Sequence, residues 1–470
     1  MIQPTNRQKQ PINTDDAHEN VTFGFRDIPQ VEKMMQQENI ASFITILSQP
    51  IVTTLIREQT EQFRLRLKNG EVSTLKLLES KILRSLKHAA QLRLQPVINA
   101  TGIMIHTNLG RAPIPVDVWR QAEDKVCRYS NLELNLAQGT RGNRMGLLPL
   151  LLNELCASPA SLLVNNNAAA LTLMLMALAQ GKEVLVSRGE QVQIGGGFRI
   201  PSILACSGAK LCDVGTTNIT TVDDYLAAVT ENTAAVLLVH TSNYYIEGFT
   251  SQPDIRELVS RLPEHVQVWV DQGSGNQESW LPGERSVAWY LAQGVDLVCF
   301  STDKMLNSTQ GGVIAGRQKP ISLMAKHPLM RAFRPGKTVY ALLEAQLIQR
   351  LNQQDEGQDR LQQLPHRPLG WHLARAQRLC SGLSSEFTPI KARCLVGGGT
   401  TPRKQFPTYA VRLPNWHSAA DWLDRLRLAK TPVIAVSQKK SALLFPISLL
   451  ESEFSEVNAI LKREMDLCSL

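Results

Sequence analysis

Two side chains near the middle of the 470-residue chain, Asp271 and Lys304, have functional groups that could act together in catalysis. Each follows an apolar run that predicts a buried strand, Val266–Val270 before the aspartate and Val295–Ser301 before the lysine. A pyridoxal phosphate enzyme needs such a pair. Its lysine forms a Schiff base with the cofactor, and its carboxylate keeps the pyridine nitrogen protonated so that the ring can accept electrons.

Each residue also has an ordinary interpretation. A lysine after a strand is commonly a solvated surface charge, and the segment Asp271–Gly275 has the composition of a simple turn. The combination of the two, on a chain in which strands and helices alternate, favours a cofactor site.

Strand-like and helical segments alternate between residues 96 and 350, which predicts a mostly parallel, doubly wound α/β sheet. The predicted strands are Ser161–Val164, Glu183–Ser187, Lys210–Val214, Ala234–Val239, Val266–Val270 and Val295–Ser301. Sheets of this kind bind their ligands at the carboxyl ends of the strands. The polar residues at these ends are therefore candidate ligands: Asn165, Asn166, Asn167, Arg188, His240, Ser242, Asn243, Asp271 and Lys304.

The three asparagines 165–167 precede the alanines 168–170, at the predicted start of a helix. Small residues let the backbone approach a phosphate, and the free N–H groups of a helix N-terminus bind it. An asparagine at this place can equally be a polar N-cap, so both interpretations stay open.

Three arginines, Arg111, Arg331 and Arg334, stand in unusual local contexts, His106–Arg111 and His327–Arg334. The planar guanidinium group suits phosphate-like anions. Spacing alone favours ordinary surface ion pairs for all three.

Outside the sheet, composition divides the chain into further predicted regions. These are a disordered tail (1–24), an N-terminal helical module (25–95), the catalytic α/β domain (96–352) and a small C-terminal α/β domain (365–470), with a polar connection at 353–368. The C-terminal domain has predicted strands at Thr408–Leu413, Val433–Val436 and Ala442–Phe445, and a helix from about Glu451.

The helical module is basic. Residues 51–95 carry nine Lys or Arg residues against four acidic ones, within a chain of net charge +8. An apolar face at Leu75, Leu78, Ile82 and Leu86 predicts an amphipathic helix. The basic surface is either a simple solvated face or an electrostatic footprint for a polyanion such as RNA.

Composition also excludes several classes of protein. No apolar stretch is long enough to span a bilayer, and the first residues lack the apolar core of a secretory signal. The eight cysteines are scattered without a Cys-x-x-Cys pair, so we expect reduced thiols in a cytoplasmic protein, with neither a metal site nor a disulfide framework.

Several segments in order resemble one family, the bacterial selenocysteine synthases, or L-seryl-tRNA(Sec) selenium transferases. They are Pro96–Gly102, His106–Ala112, Tyr129–Glu133, Val164–Ala170, Val186–Glu190, Ile194–Gly196, Phe198–Pro201, Val214–Asn218, His240–Tyr244, Phe300–Lys304 and His327–Leu329. The resemblance extends from about residue 28 to the C-terminus and is densest between 96 and 340.

This resemblance implies a fold-type I pyridoxal phosphate enzyme. Such an enzyme dehydrates the seryl group of seryl-tRNA(Sec) to an aminoacrylyl group and adds selenium from selenophosphate. The family also forms ring-shaped homo-oligomers built from dimers, here expected as a homodecamer with active sites at subunit interfaces. The basic helical module would hold the tRNA.

The resemblance also implies roles for particular residues. Lys304 and its neighbour Asp303 are the candidate catalytic residues. The cofactor would be bound by Lys304, Asp271, Asn165, Asn166, Asn167, Ser242, Asn243 and Ser301, and the anion of the selenium donor by Arg111, Arg331 and Arg334.

The sequence departs from the family pattern around the same pocket. Thr302, Asn307 and Ser308 stand where the family has glycines, Thr309 replaces a proline, Ile219 an arginine, Gln193 an acid and Gln272 a leucine. Glycine allows backbone conformations closed to other residues, so these changes bear on the loop after Lys304. Two further hypotheses therefore stay open: a pyridoxal phosphate-dependent lyase paralogue that acts on a small amino acid or amino sugar phosphate, and a non-catalytic relative that binds RNA or forms oligomers.

Overall fold

The computed structural model describes residues 24–71, 74–194, 197–240, 246–278, 281, 283–352, 363–397 and 404–468. The chain forms two compact units, Met1–Pro96 and Val97–Leu470. The predicted tail, apart from Gly24, lies outside the described residues, as do residues 353–362 of the predicted connection and both Ser242 and Asn243.

The first unit is helical. Its helices are α1 (Val31–Met35), α2 (Glu38–Ala41), α3 (Ile44–Leu47), α4 (Gln49–Lys68) and α5 (Leu75–Gln91). The predicted apolar face of α5 is confirmed, because Leu78, Ile82 and Leu86 are fully buried among apolar residues that include Ile56 and Phe63 of α4. Thr74 begins α5 by accepting a hydrogen bond from the Leu77 amide at 3.3 Å.

The second unit contains the remaining elements. Its strands are β1 (Ile98–Asn99), β2 (Ile103–Ile105), β3 (Leu134–Asn135), β4 (Thr140–Arg141), β5 (Ala160–Val164), β6 (Glu183–Ser187), β7 (Gln193–Ile194), β8 (Phe198–Arg199), β9 (Lys210–Val214), β10 (Thr233–Val239), β11 (Gln267–Gly273), β12 (Leu297–Ser301), β13 (Gly312–Gly316), β14 (Thr388–Gly397), β15 (Gln405–Arg412), β16 (Val433–Ile434), β17 (Val436–Gln438) and β18 (Ser441–Leu444). Its helices are α6 (Val116–Cys127), α7 (Leu148–Cys156), α8 (Asn167–Leu178), α9 (Ile200–Ser207), α10 (Val222–Ala228), α11 (Ile255–Arg261), α12 (Val287–Ala292), α13 (Gln318–Lys326), α14 (Met330–Phe333), α15 (Lys337–Leu351), α16 (Leu369–Cys380), α17 (Ala419–Arg427) and α18 (Phe454–Cys468).

A seven-stranded sheet with the order β5-β13-β12-β11-β10-β6-β9 forms the centre of this unit. All six predicted strands of the α/β region are present in it, and the predicted mostly parallel sheet is confirmed. β13, which runs antiparallel between β12 and β5, is not among the predicted strands. Its apolar run, Val313–Ala315, is only three residues long and stands between glycines, so it is too short to be recognised as a strand from the sequence.

Apolar clusters cover both faces of this sheet. Along β11, Trp269 points into one cluster, whereas Val268 and Val270 point into the other. This alternation follows from the pleat of a strand. The sheet is therefore buried on both faces, and its polar side chains with a possible chemical role lie at the ends of its strands.

A second, five-stranded sheet has the order β17-β18-β15-β14-β2. The predicted strands near 408, 433 and 442 are confirmed, whereas β14 was missed. Of the strands in residues 98–105, β2 belongs to this sheet through its pairing with β14, whereas β1 pairs with β16 in a separate two-stranded sheet. Within the described residues, none of the helices is long and apolar enough to cross a membrane.

The buried face of α5 makes a stability prediction. Ile82→Ala should lower the free energy of unfolding of α5 by about 2–5 kcal/mol, because it removes buried methyl groups and leaves a cavity. Hydrogen exchange of the α5 amides in the full-length protein measures this loss. Arg84→Ala, at an exposed position of the same helix, is the control, and equal protection in both variants would contradict the packing described above.

Candidate active site

Asp271 is buried near the carboxyl end of β11, between two neighbouring strands. Its register partners are Val239 on β10 and Cys299 on β12. Its Oδ1 accepts a hydrogen bond from Asn167 Nδ2 at 2.7 Å and lies 3.8 Å from the Cys299 thiol. Burial raises the pKa of Asp271, whereas the Asn167 hydrogen bond, the charge of Lys304 and the Cys299 contact act in the opposite direction.

Lys304 lies three residues beyond the end of β12. The turn after β11 packs directly against this loop, since the Met305 amide donates to the Ser274 carbonyl at 3.0 Å. Gly275 has a φ of +71°, and a Cβ there would lie 2.2 Å from the Ser301 carbonyl oxygen. A glycine is therefore required for the two loops to approach this closely.

The Lys304 amine is partly buried and is held toward its neutral form. Burial lowers the pKa of Lys304, and the Arg111 charge lowers it further, although Asp271 and Asp303 oppose both effects. A neutral amine is the nucleophilic form of lysine. The site therefore contains a lysine prepared for condensation with a carbonyl group.

Arg111 has a φ of +68° and forms an ion pair with Asp303, through its Nη1 and Oδ2 of the carboxylate. The other oxygen, Asp303 Oδ1, is buried without a hydrogen-bond partner in the described part of the chain. Arg111, predicted as an anion ligand, is thus already paired with the residue next to Lys304. An anion that binds Arg111 would compete with Asp303 or share the guanidinium with it.

The asparagines 165–167 connect β5 to α8. Asn166 is the N-cap of α8, and its side chain accepts a hydrogen bond from the Ala169 amide at 2.8 Å. Asn167 reaches Asp271, and its own Oδ1 is buried without a partner among the described residues. A Cβ on Gly312 would lie 2.1 Å from the Asn166 carbonyl oxygen, so β13 leaves just enough room for the start of the helix. The N-cap interpretation fits Asn166, and Asn167 contacts the aspartate.

The two other predicted arginines lie in or directly after α14. Asn165 holds this segment, because its amide donates to the Phe333 carbonyl at 2.8 Å and its side chain to the Ala332 carbonyl at 3.2 Å. Arg334 lies 3.5 Å from Glu133, and Arg331 is exposed. The structure thus brings the arginine segment to the asparagine loop, although Arg334 points to a carboxylate.

The substituted loop around Lys304, residues 302–309, is closed by hydrogen bonds between its own residues. Of the three residues that replace family glycines, only Asn307 has a positive φ, of +58°, and asparagine tolerates this conformation. Thr302 Oγ1 donates to the Thr309 carbonyl at 2.6 Å, and the Ser308 amide donates to the Thr302 carbonyl at 3.0 Å. The substitutions are therefore compatible with a closed loop.

Several residues of this region were missed from the sequence. Cys299 was interpreted only as a buried thiol, although its strand position opposite Asp271 could have indicated the contact. Arg144 lies 2.5 Å from Glu133, beside Arg334, and Glu284 lies 2.8 Å from His240. Nothing in their spacing along the chain signals these partners.

Two observations indicate that the residues of this site fit pyridoxal 5′-phosphate. A buried carboxylate and a lysine with a lowered pKa lie at neighbouring strand ends, and Asn167, at the start of α8, contacts that carboxylate. Together with the sheet order, they define the chain as an enzyme with the fold of the fold-type I pyridoxal phosphate enzymes. The fold is similar to that of a solved D-glucosaminate-6-phosphate ammonia-lyase, with a TM-score of 0.56, 19% identity, and coverage of 81% of this chain and 98% of the other.

Sequence comparison defines the family. The family model for L-seryl-tRNA selenium transferase matches residues 97–449. The L-seryl-tRNA(Sec) selenium transferase of Caldanaerobacter subterraneus subsp. tengcongensis is 39% identical, over 87% of this chain and 92% of its own length. The enzyme of the same name from Geotalea daltonii is 36% identical, over 93% and 98%. The chain belongs to the L-seryl-tRNA selenium transferase family and is a transferase.

The ion pair of Arg111 generates a pH prediction. In Arg111→Met the pKa of Lys304 should rise, because the lowering charge is lost and Asp303 then acts on the amine alone. The fraction of Lys304 with a neutral amine at a given pH therefore falls, and trapping of pyridoxal on Lys304 by borohydride should require a higher pH. Peptide mass spectrometry measures the extent of trapping against pH and gives the pH of half-maximal trapping, the midpoint, with the exposed Arg256→Met as control. A midpoint equal to that of the control would contradict the proposed coupling.

The contact between β13 and α8 generates a second prediction. Gly312→Ala should weaken pyridoxal 5′-phosphate binding at least about tenfold, or ~1.4 kcal/mol, because the added methyl group displaces the first turn of α8. Titration of the apoprotein followed by visible absorbance measures the affinity. Gly370→Ala is the matched control, since a Cβ there meets nothing within 4 Å. Equal affinities in the two variants would show that α8 does not contribute to the cofactor site.

Proposed function

We propose that this protein converts seryl-tRNA(Sec) to selenocysteinyl-tRNA(Sec), with pyridoxal 5′-phosphate as cofactor and selenophosphate as selenium donor. One observation supports this most directly: relatives named for this activity match along nearly their whole length, and Lys304 and Asp271 lie together at the sheet edge of this chain. The likeness to the ammonia-lyase supports the fold alone.

The cofactor, when bound, supplies an electron sink for negative charge at the α-carbon of the substrate. Lys304 would hold it covalently, and Asp271 would hold its pyridine nitrogen. Residues 165–167 would lie at the phosphate, with Ser301 nearby, and Ser242 and Asn243 would lie near the ring oxygen. The buried Oδ1 of Asn167, which has no hydrogen-bond partner among the described residues, can accept a hydrogen bond from a further donor.

Proton transfer is the proposed chemical role of Lys304. Its amine, released when the amino group of the substrate takes its place on the cofactor, can accept the α-proton of the seryl group at Nζ, and burial and the Arg111 charge favour its neutral form by lowering its pKa. The same nitrogen, then protonated, can donate to the departing β-hydroxyl oxygen. Asp303 would set the charge balance, because its carboxylate holds Arg111 beside the amine.

The selenium donor is an anion, and the arginines are its proposed ligands. Arg331 and Arg334 lie in the segment that Asn165 holds, and Arg144 lies next to Arg334 through their shared partner Glu133. Guanidinium groups bind phosphate-like anions in a bidentate manner. Arg111 would join them when the anion competes with Asp303.

The tRNA is the proposed partner of the first unit. The net charge of +5 in residues 51–95 lies mainly on α4 and α5, and helices with a basic face attract a polyanion. We also infer a homo-oligomeric ring of dimers, as the family resemblance implies. The substituted loop 302–309 is the feature that favours the alternative, a lyase for a small amino acid or amino sugar phosphate.

The proposed reaction has a direct test. The cofactor-loaded protein, given seryl-tRNA(Sec) and selenophosphate, should produce selenocysteinyl-tRNA(Sec), which mass spectrometry of the released amino acid detects. Lys304→Ala should reduce the rate at least about 10³-fold, since both proton transfers use its amine. It should leave the affinity for seryl-tRNA(Sec) unchanged.

Controls distinguish the outcomes of this test. Lys326→Ala, on α13, should react like the wild-type protein. Seryl-tRNA(Ser) at the same salt concentration tests the choice of tRNA, because charge-driven RNA binding depends steeply on salt. Elimination from small amino substrates without any selenium incorporation would support the lyase alternative and reject the proposal.

A further inference from the structure

A second cavity, here called the β6–β9 cavity, opens at the carboxyl ends of the strands of the large sheet, as the active site does. It has a volume of about 330 Å³. Ser187, the last residue of β6, forms part of its wall, as do Thr217 and Asn218, which follow β9. Gln252, from the segment before α11, also lines it. This volume is within the range of small-molecule binding sites.

The described lining of the β6–β9 cavity is polar but contains no Lys or Arg. Hydroxyl and amide groups predominate, and Ile246 and Pro253 add apolar surface. Ser187 and Thr220 fix part of the wall, since their hydroxyl oxygens lie 2.8 Å apart. Phosphate groups require cations or clustered backbone N–H groups. The lining therefore suits a neutral group with hydrogen-bonding edges and an apolar face.

Glu190 is the one acidic residue of the described lining, and it is buried. Its Oε2 accepts a hydrogen bond from the Val239 amide at 2.8 Å. Burial raises the pKa of Glu190 to about 8, so its carboxyl group is largely protonated at neutral pH. A protonated carboxyl group can both donate and accept, and it keeps the wall of the cavity neutral.

The position of the cavity relates it to the reacting group. β6 is separated from β11, which carries Asp271, by β10 alone. Two strand spacings amount to about 10 Å along the edge. A substrate whose seryl group reacts beside Asp271 and Lys304 must extend away from that point through its ester bond. The part directly beyond the ester is the ribose and base of the last nucleotide.

We propose that the β6–β9 cavity binds the 3′-terminal nucleoside of the aminoacylated tRNA, an inference that rests on the function proposed above. The hydroxyl and amide groups of the lining would contact the ribose and the edge of the base. Ile246 and Pro253 would contact the face of the base.

Removal of the terminal nucleoside tests this proposal. The affinity of the cofactor-loaded protein is measured at fixed salt for intact tRNA(Sec) and for tRNA(Sec) that lacks its 3′-terminal nucleoside. The wild-type protein should bind the shortened tRNA about tenfold more weakly, or by ~1.4 kcal/mol, because the contacts of the cavity with the ribose and base are lost. In Thr217→Phe, the ring fills the cavity, and both tRNAs should bind with the same reduced affinity.

Two further variants complete the design. Asn232→Phe adds the same ring at an exposed residue at the opposite end of β10 and should retain the tenfold difference. Gln252→Trp places a large ring at a second lining residue, on a different segment of the chain, and should reproduce Thr217→Phe. Equal cofactor loading in all variants shows that each is folded.

The outcomes separate this proposal from the one on which it rests. If Thr217→Phe and Gln252→Trp still distinguish the two tRNAs, or if the wild-type protein does not, the nucleoside site is rejected while the tRNA substrate stands. If the wild-type protein binds neither tRNA, the proposed function fails and the nucleoside site fails with it.

Discussion

The burial of Asp271 beside Lys304 is the constraint on which the rest of the site depends. Removal from water favours the neutral form of both groups, so it raises the pKa of the carboxyl group and lowers that of the amine. Each charge partly compensates the other. Asn167 and Cys299 add contacts to the aspartate from two different elements. Loss of Lys304 would remove a charge that lowers the pKa of Asp271, and loss of Asp271 would remove a charge that raises the pKa of Lys304.

This pair can exist only because several backbone segments approach one another without side chains between them. Gly275 brings the turn after β11 against Ser301, and Gly312 brings β13 against the first turn of α8. The antiparallel strand β13 is central here, since it joins β12, which leads to Lys304, to β5, which leads to the asparagine loop. A methyl group at either glycine would separate parts that must touch.

Much of this architecture could be predicted from hydrophobic patterns. The six predicted strands, now β5, β6, β9, β10, β11 and β12, are mostly apolar and separated by helical segments, and their carboxyl ends place Asp271 and Lys304 on the same side of the sheet. β13 escaped prediction because its apolar run is only three residues long between glycines. The Arg111–Asp303 ion pair escaped because it joins residues far apart in the chain. Pattern and spacing report local structure, whereas such partners depend on the complete fold.

The residues of the loop around Lys304 show how positions of the same expected type can differ in structure. Asn307 has a left-handed conformation, which asparagine tolerates, and Thr302 closes the loop through its hydroxyl group. Of the three positions at which the resemblance predicts glycine, only position 307 has a positive φ. The sequence alone does not distinguish this position from the other two, because φ angles are visible only in the structure.

The pairing of β1 with β16 and of β2 with β14 also has a consequence for folding during translation. Residues 98–105 emerge early, but their partners, β16 for β1 and β14 for β2, are synthesised only after all strands of the large sheet. Contacts between such distant parts of a chain form slowly, because a long loop must close first. During translation β1 and β2 therefore stay unpaired while the large sheet is completed. In this interval their exposed apolar residues make the nascent chain most prone to mispairing and to binding by chaperones.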